Sequence, residues 1–425
     1  MTPAVALLRS LFGDAFARDF SLVLWDGTRI GAQRQEQFVL HVNAPYALRA
    51  AFSPPVDLGL GRAFVERWID VTGDLEKAIA SFQRVAEQLG PRRVALAVTQ
   101  LLRLPRPPAP ASGGSHLHGA RHSRARDAAA IGFHYDQPLP FYASFLDPEL
   151  VYSCAYFQRD GMMLEAAQRA KIDHVMRKLR VSPGDRLLDI GCGWGAAVMR
   201  AADAFGAQAL GVTLSRPQRD EAERRIGERH LEERATVALR DYRDLGDAQF
   251  DRIVSIGMVE HVGRSRLPEY FNAAFRALRP GGLFLNHGIA DQEPARRGYR
   301  ASGFMQRYVF PDGELVPISD TLLAAERAGF EVRDVENLRE HYAKTLRAWV
   351  ANLERNAAVA IDAAGERAYR IWRLYMAASA HGFSLGRMGL FQTLLAKPHA
   401  DGTAEVPPTR DDLYVTAGVP TLPRA

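Results

Sequence analysis

Cysteine is almost missing from this chain. Only Cys154 and Cys192 occur in 425 residues. That excludes a disulfide framework and a four-ligand zinc site, predicts no metal centre, and suits a reducing cytosol. Long apolar runs are missing too, since no stretch approaches the ~20 apolar residues that a membrane span needs. The apolar opening from Met1 to Phe12 is interrupted at Arg9, followed by Asp14, and lacks a small-residue cleavage pattern, so no secretory signal is expected. These absences predict a cytoplasmic protein, soluble or peripherally attached to the inner face of the membrane. Acids are absent from one long segment. Between Arg103 and Arg126 there are five arginines and three histidines, set among Pro107, Pro108, Pro110, Ser112, Gly113 and Gly114. Such a stretch cannot bury enough apolar area to fold and reads as a linker. It is either a solvated hinge or a basic tether for anionic lipid headgroups, each cation near the surface contributing about 1 kcal/mol. Without aromatic interleaving it does not read as a nucleic-acid site.

The length predicts two domains, and 47% apolar residues suffice for sizeable cores. The expected division is a small N-terminal α+β domain over 1–102, the basic linker over 103–128, and a larger α/β domain over 129–425. In the first, Ser21–Trp25 and Gln37–Val42 read as strands. Phe64–Trp68 and Leu75–Leu89 read as helices, with Thr72-Gly73-Asp74 as a helix start. No catalytic constellation is visible there. Packing on the second domain, forming a homodimer and feeding it an apolar substrate all remain open.

The most informative stretch is Leu187-Leu188-Asp189-Ile190-Gly191-Cys192-Gly193-Trp194-Gly195, a buried strand running into a Gly-rich turn with a helix opening at Ala196. Glycine lets the backbone turn sharply and approach a ligand where a Cβ would clash. A phosphate loop would want a following Lys-Ser/Thr, which is absent. An acid-Gly-x-Gly-x-Gly turn suits a cationic, phosphate-free nucleotide and points to S-adenosylmethionine (SAM); a dinucleotide fingerprint or a merely tight turn are the alternatives. Further strand ends follow in order. Gly211–Ser215 places Thr213, with Gln218 beyond it, where a doubly wound fold presents groups to a ribose. Asp241-Tyr242 closes the run Ala235–Arg240 and is placed to hold the adenine amino group. Phe250–Ile256 is a fourth strand, and Gly281–Leu285 begins a fifth after a Pro-Gly turn. Strands alternating with helix-length segments imply a parallel sheet covered on both faces. Together these predict a Rossmann-like class I SAM-dependent methyltransferase.

Outside the cofactor loops stand Cys154 in Tyr152-Ser153-Cys154-Ala155-Tyr156, Glu260 in Gly257-Met258-Val259-Glu260-His261-Val262-Gly263, His287 and Ile289 in Asn286-His287-Gly288-Ile289, and Tyr342 in His341-Tyr342. A lone Cys is usually a small buried hydrophobe, and a lone Tyr usually packs its ring. Glu260 and His287 differ, since both fall at strand ends near the methyl donor. With His134-Tyr135-Asp136, Leu146-Asp147, Arg307–Pro311 and Ala348-Trp349, these segments resemble the cyclopropane-fatty-acyl-phospholipid synthase family, which includes the mycolic acid cyclopropane synthases. The resemblance covers about residues 129 to 397. Trp68–Leu75 resembles the extra N-terminal domain of longer phospholipid-acting members.

The resemblance implies transfer of a methylene unit from SAM to the cis double bond of an unsaturated phospholipid acyl chain. It further implies a carbocation that loses its proton to a bound bicarbonate held by Cys154, Glu260, His287, the Ile289 backbone and Tyr342. Ionised Glu260 would accept the bicarbonate hydroxyl, while His and Tyr donate. SAM contacts carry over to Tyr152, Ser153, Asp189, Gly191, Gly193, Gly195, Thr213, Gln218, Asp241 and Tyr242. The rings of Tyr152, Phe157 and Phe304 are expected to face the cation, each contact worth about 2 kcal/mol when desolvated. Segments from about 292 to 310 and 337 to 380 would form a helical lid and the walls of an acyl tunnel. The chain departs from the family at Gln137-Pro138-Leu139-Pro140, expected near the meeting point of donor and acyl chain, at Phe157, and at Asn286-His287-Gly288. Those departures keep methylene- or methyl-branched products open. A small-molecule methyltransferase and a non-catalytic lipid- or SAM-binding protein are the readings from other classes.

Overall fold

The computed structural model describes residues 3–13, 19–109, 114–115, 117–246, 249–292 and 303–414. Ser112 and Gly113 of the basic segment, residues 293–302 of the expected lid and the chain beyond 414 lie outside them. The N-terminal part contains helices α1 (Pro3–Phe12), α2 (Ala47–Phe52), α3 (Val56–Val65), α4 (Leu75–Gln88) and α5 (Pro91–Leu102). Strands β1 (Phe20–Leu24), β2 (Arg29–Ile30), β3 (Phe38–Val42) and β4 (Ile69–Gly73) form a sheet in the order β2-β1-β3-β4. Here β1 and β3 run parallel, while β2 and β4 are antiparallel to their neighbours. Asp74 caps α4 by accepting from the Lys77 amide, as the helix-start signal predicts. The helix expected over Phe64–Trp68 is not one element. α3 stops at Val65, Arg67 turns the chain at φ +60°, and β4 follows. Its buried Ile69 and Val71 alternate with half-exposed Asp70, which is strand periodicity.

The second sheet has seven strands: β5 (Arg186–Ile190), β6 (Gln208–Thr213), β7 (Ala235–Leu239), β8 (Phe250–Ile256), β9 (Leu278–Asp291), β10 (Glu331–Asn337) and β11 (Met388–Ala396). Their order is β10-β11-β9-β8-β5-β6-β7. The five strands read from the sequence are parallel as expected, but the sheet is mixed because β11 runs antiparallel to both β9 and β10. The Pro280-Gly281 pair does not precede β9 as a turn. It is a bulge within the strand, where the pairing shifts from Phe250 opposite Leu278 to Arg252 opposite Leu283. Helices α8 (Leu164–Lys178), α9 (Ala196–Phe205), α10 (Arg216–Glu228), α12 (Leu267–Ala277) and α14 (Ile318–Arg327) cover the sheet, with an apolar core on each face. The cap above the strand ends is built from α6 (Arg124–Tyr135), α7 (Leu139–Ala143), α11 (Val259–Val262), α13 (Gly303–Tyr308), α15 (Arg339–Arg355) and α16 (Ala357–Ser384). A short helix, α17 (Asp411–Tyr414), follows. α16 is broken at Gly365, whose φ of 82° and ψ of 156° are not helical.

The basic segment is docked at its far end. Arg126 and Arg121 pair with Asp312, Arg124 pairs with Asp244, and the Ser115 amide donates to Arg307 O at 2.8 Å. Residues 124–128 already belong to α6, because carboxylates on the larger sheet's side take up arginines that the sequence alone left solvated. The N-terminal part is fixed just as firmly. Arg370 of α16 donates to Phe64 O at 2.7 Å and Ile69 O at 3.3 Å, and pairs with Asp70 at 3.0 Å. Arg373 donates to Val71 O at 3.2 Å. Among the described residues no helix is long and apolar enough to cross a membrane.

Candidate active site

The Gly-rich turn after β5 does what its composition predicts. Gly191, Gly193 and Gly195 adopt φ of +82°, +53° and +80°, the left-handed region that a Cβ disfavours. A cavity of about 130 Å³ opens there, lined by Tyr152, Ser153, Asp189, Gly191, Gly193, Thr213, Gln218 and Tyr242 among others. Two of the expected cofactor residues are set back from it. Gly195 caps α9, and a Cβ there would lie 3.2 Å from Ala222, so its role is packing. The Asp241 carboxylate is already engaged, accepting from Arg243 Nη2 at 2.6 Å and from the Arg243 amide at 2.9 Å. Burial raises its pKa, but these bonds more than offset that and hold it below the usual carboxylate range. Tyr242, beside it, does line the cavity. Thr213 donates to Gln218 at 2.9 Å, joining two residues expected at the ribose side.

Asp189 faces this cavity almost fully buried, and its Oδ1 lacks a hydrogen-bond partner among the described residues. Burial pushes its pKa up to about 7, partly offset by Lys171. Lys171, on α8, also lines the cavity and donates to Ser153 Oγ at 3.0 Å; burial brings it down to about 8. An orphaned carboxylate, a buried ammonium and open glycine backbone fit a ligand carrying both charges, as the methionine end of SAM does.

A second cavity of about 430 Å³ adjoins the first, and Tyr135, Tyr152, Ser153, Gly257 and His261 line both. Cys154, Glu260, His287, Ile289 and Tyr342, scattered over 189 residues of sequence, all line this second cavity. Glu260 Oε1 accepts the Ile289 amide at 2.6 Å, so that amide is spent on the carboxylate. This close approach depends on Gly288, where a Cβ would fall 2.2 Å from Val259 Cγ1. Burial pushes Glu260 up to about 7, with the Ile289 bond opposing. The ionised carboxylate expected from the sequence is therefore matched near neutrality by its protonated form, which eases repulsion with a second anion. His287 is held neutral by burial, its Nδ1 lies 3.2 Å from Gln392 Nε2, and its Nε2 has no partner among the described residues. Glu260 Oε2 is likewise unpartnered. Burial raises the pKa of Cys154 and Tyr342, so both are neutral donors.

The aromatic lining differs from expectation. Tyr152 lines both cavities, but Phe157 and Phe304 line neither; Tyr135, Phe310 and Tyr375 are there instead. Phe157 stacks toward His341, and Phe304 packs on Tyr308 and against Gly61 of α3. Gln137–Pro140 also lies off the cavities, introducing α7, whose Phe141 and Tyr142 are core residues. His134-Tyr135-Asp136 acquires a physical meaning. His134 is a neutral core ring donating to Val309 O, the Tyr135 hydroxyl meets His261 Nε2 at 3.2 Å, and Asp136 accepts from Ser215. Sequence reasoning gave no role to Lys171, His261, Tyr375 or Gln392.

Fold and cavities together define a class I SAM-dependent methyltransferase. The chain belongs to the mycolic acid cyclopropane synthetase family, whose model matches residues 122–393. A probable fatty acid methyltransferase of Pseudomonas putida is 40% identical over 92% of this chain and 95% of its own length. Cyclopropane mycolic acid synthase 1 of Mycobacterium tuberculosis is 38% identical over 62% of this chain and 95% of its own. Among solved structures, the cyclopropane synthase MmaA2 of M. tuberculosis superposes with a TM-score of 0.60 at 34% identity, covering 64% of this chain and 98% of that one. Mycolic acid cyclopropane synthase CmaA1, complexed with SAH and CTAB, gives 0.60 at 37% identity, over 63% and 97%.

Proposed function

We propose that this enzyme methylates the cis double bond of an unsaturated acyl chain in a membrane phospholipid and closes a cyclopropane ring. The observation that carries this is the convergence of Cys154, Glu260, His287, Ile289 and Tyr342 on one cavity that shares a wall with the SAM cavity. The alkene π electrons form the new carbon–carbon bond as the sulfonium releases its methyl group, leaving a cation on the chain. Ring closure then requires loss of a proton from the transferred carbon. A bicarbonate held in this cavity would supply the base for that proton. Glu260 Oε2 and His287 Nε2, both buried and without a partner among the described residues, would hold it with the Cys154 and Tyr342 donors. The rings of Tyr135, Tyr152, Phe310 and Tyr375 shield the cation from water, which would otherwise trap it.

A second reading keeps the site and changes the product. The departure at Asn286-His287-Gly288, whose His287 lines the second cavity, and the 40%-identical relative being a probable fatty acid methyltransferase support a methylene- or methyl-branched acyl chain. Lipids from an unsaturated-lipid host expressing the protein, or its Glu260→Gln variant, separate the two. A Glu260-dependent gain of one CH₂, resistant to mild hydrogenation, is the expected ring. The same gain in a hydrogenation-sensitive exocyclic alkene, or a gain of one CH₂ and two further hydrogens supplied by a hydride-donating reductant of the host in a saturated branched chain, selects the second reading. No new lipid overturns both.

A further inference from the structure

From Gln88 to Arg126 the chain has seven arginines and no Asp or Glu. The docked half spends Arg121, Arg124 and Arg126 on Asp312 and Asp244, which leaves the α5 half to be explained. α5 rests on the N-terminal core through Ala97, Leu101 and the following Leu104. The side adjoining that contact is apolar but faces outward: Val94 is 45%, Val98 47% and Leu102 64% exposed. At about 100° per residue these three fall with Pro91 and Ala95 on one continuous face roughly 100° wide. Single exposed apolar residues need no explanation, whereas a whole helical face does. Arg92 and Arg103 are exposed along the free edge of this face, Arg106 is exposed just beyond the helix, and none of the three has an ion pair among the described residues. An apolar stripe rimmed by cations is the chemistry of a helix lying in the interface of an anionic bilayer.

We infer that α5 is the surface by which this enzyme docks on anionic phospholipid membranes, an inference that rests on the phospholipid reading above. The helix is rigidly joined to the acyl cavity. Arg49 of α2 donates to Leu104 O at 2.7 Å, fixing the end of α5. α2 packs on α3, Gly61 of α3 abuts Phe304 of α13, and the neighbouring Met305 lines the cavity. Docking at α5 therefore holds that cavity wall at a set distance from the bilayer.

Co-sedimentation of the full-length protein with vesicles of equimolar phosphatidylglycerol and phosphatidylcholine, and with pure phosphatidylcholine vesicles, tests this. The wild type is expected to bind the anionic vesicles selectively. Val98→Asp with Leu102→Asp, and separately Arg92→Gln with Arg103→Gln and Arg106→Gln, should each weaken that binding by about tenfold or more. SAM affinity and the thermal midpoint should stay unchanged, since these side chains face outward. Wild-type binding that survives both variants overturns the assignment of the surface and leaves the phospholipid reading standing. A wild type that binds no vesicle overturns the docking reading altogether. A loss of dimers in the Asp variant, with vesicle binding intact, assigns the face to a second copy of the chain and overturns the proposal.

Discussion

Asp189 and Lys171 set the charge of the cofactor cavity, and their titration has a readable consequence. Asp189 has a raised pKa of about 7, so it gains a proton as the pH falls through that value and loses its attraction for the SAM ammonium. SAM affinity, measured by calorimetry across that range, should therefore fall on the acid side. Asp189→Asn should weaken binding by roughly tenfold to a hundredfold at neutral pH and remove this acid-side fall. Lys171 opposes the upward shift of Asp189, so Lys171→Met should move the midpoint of the binding curve to higher pH. In the second cavity Glu260→Gln should leave SAM binding intact while lowering turnover by roughly two orders of magnitude or more, the usual scale for a group acting in proton transfer. Stability follows the opposite sign from a salt-bridged acid. With its folded pKa raised to about 7, Glu260 binds more protons in the folded than in the unfolded chain between the ordinary 4.5 and 7, so its contribution declines as the pH rises through that window.

Elements hold these residues in place, and one hydrogen bond couples the cap to the cofactor loop. Thr345 of α15 accepts the Ala155 amide at 3.0 Å while donating to His341 O at 2.7 Å. Thr345→Val should strand a buried amide at about 1–3 kcal/mol, seen as a lower unfolding midpoint. It should also raise the KM for SAM, because Tyr152 and Ser153 ride on the same loop. Element by element, legibility in the sequence followed periodicity and punctuation. β5, β7 and β8 were readable because apolar runs end at or beside Gly or Asp, and β6 because its run ends at Thr213 and Ser215. β10 was not, since Glu331-Val332-Arg333-Asp334-Val335-Glu336-Asn337 reads as a polar surface segment until β11 covers it. Cys154, Glu260, His287 and Tyr342 were singled out through the family resemblance of the motifs that carry them, and the fold brings them to one cavity. Lys171 was not, because in Leu164–Lys178 it is one of several charged helical residues and only the fold buries it. Tyr375 and Gln392 were hidden for the same reason, lying on elements whose apolar faces look like ordinary core.

At the scale of the whole molecule, α16 has two working faces. Tyr375, Ser379, Gly382 and Phe383 line the second cavity, while Arg370, Arg373, Ala377 and His381 turn to the N-terminal part. Arg370→Met removes a buried guanidinium that pairs with Asp70 and lies 4.3 Å over the Phe64 ring. The expected cost is about 3 kcal/mol, visible as a lower midpoint in thermal unfolding. Asp70 carries a pH signature of the same contact. Burial raises its pKa, but Arg370, together with the Val71 amide and Arg373, more than offsets that and leaves it lowered. The pair's contribution is thus complete above the ordinary aspartate range and is lost as the pH falls through the lowered value, a limb that the variant should lack.

The same two arginines bear on how the family's long and short members diverged. The 38%-identical synthase covers only 62% of this chain, and the family match begins at residue 122, beyond the N-terminal sheet. A chain with α16 but without that sheet would leave two guanidiniums facing water, robbed of the carbonyls of Phe64, Ile69 and Val71 that receive them here. Paired basic residues at the positions of Arg370 and Arg373 should therefore serve as a bar code in an alignment, marking which ancestors carried the extra module and when it was gained or shed.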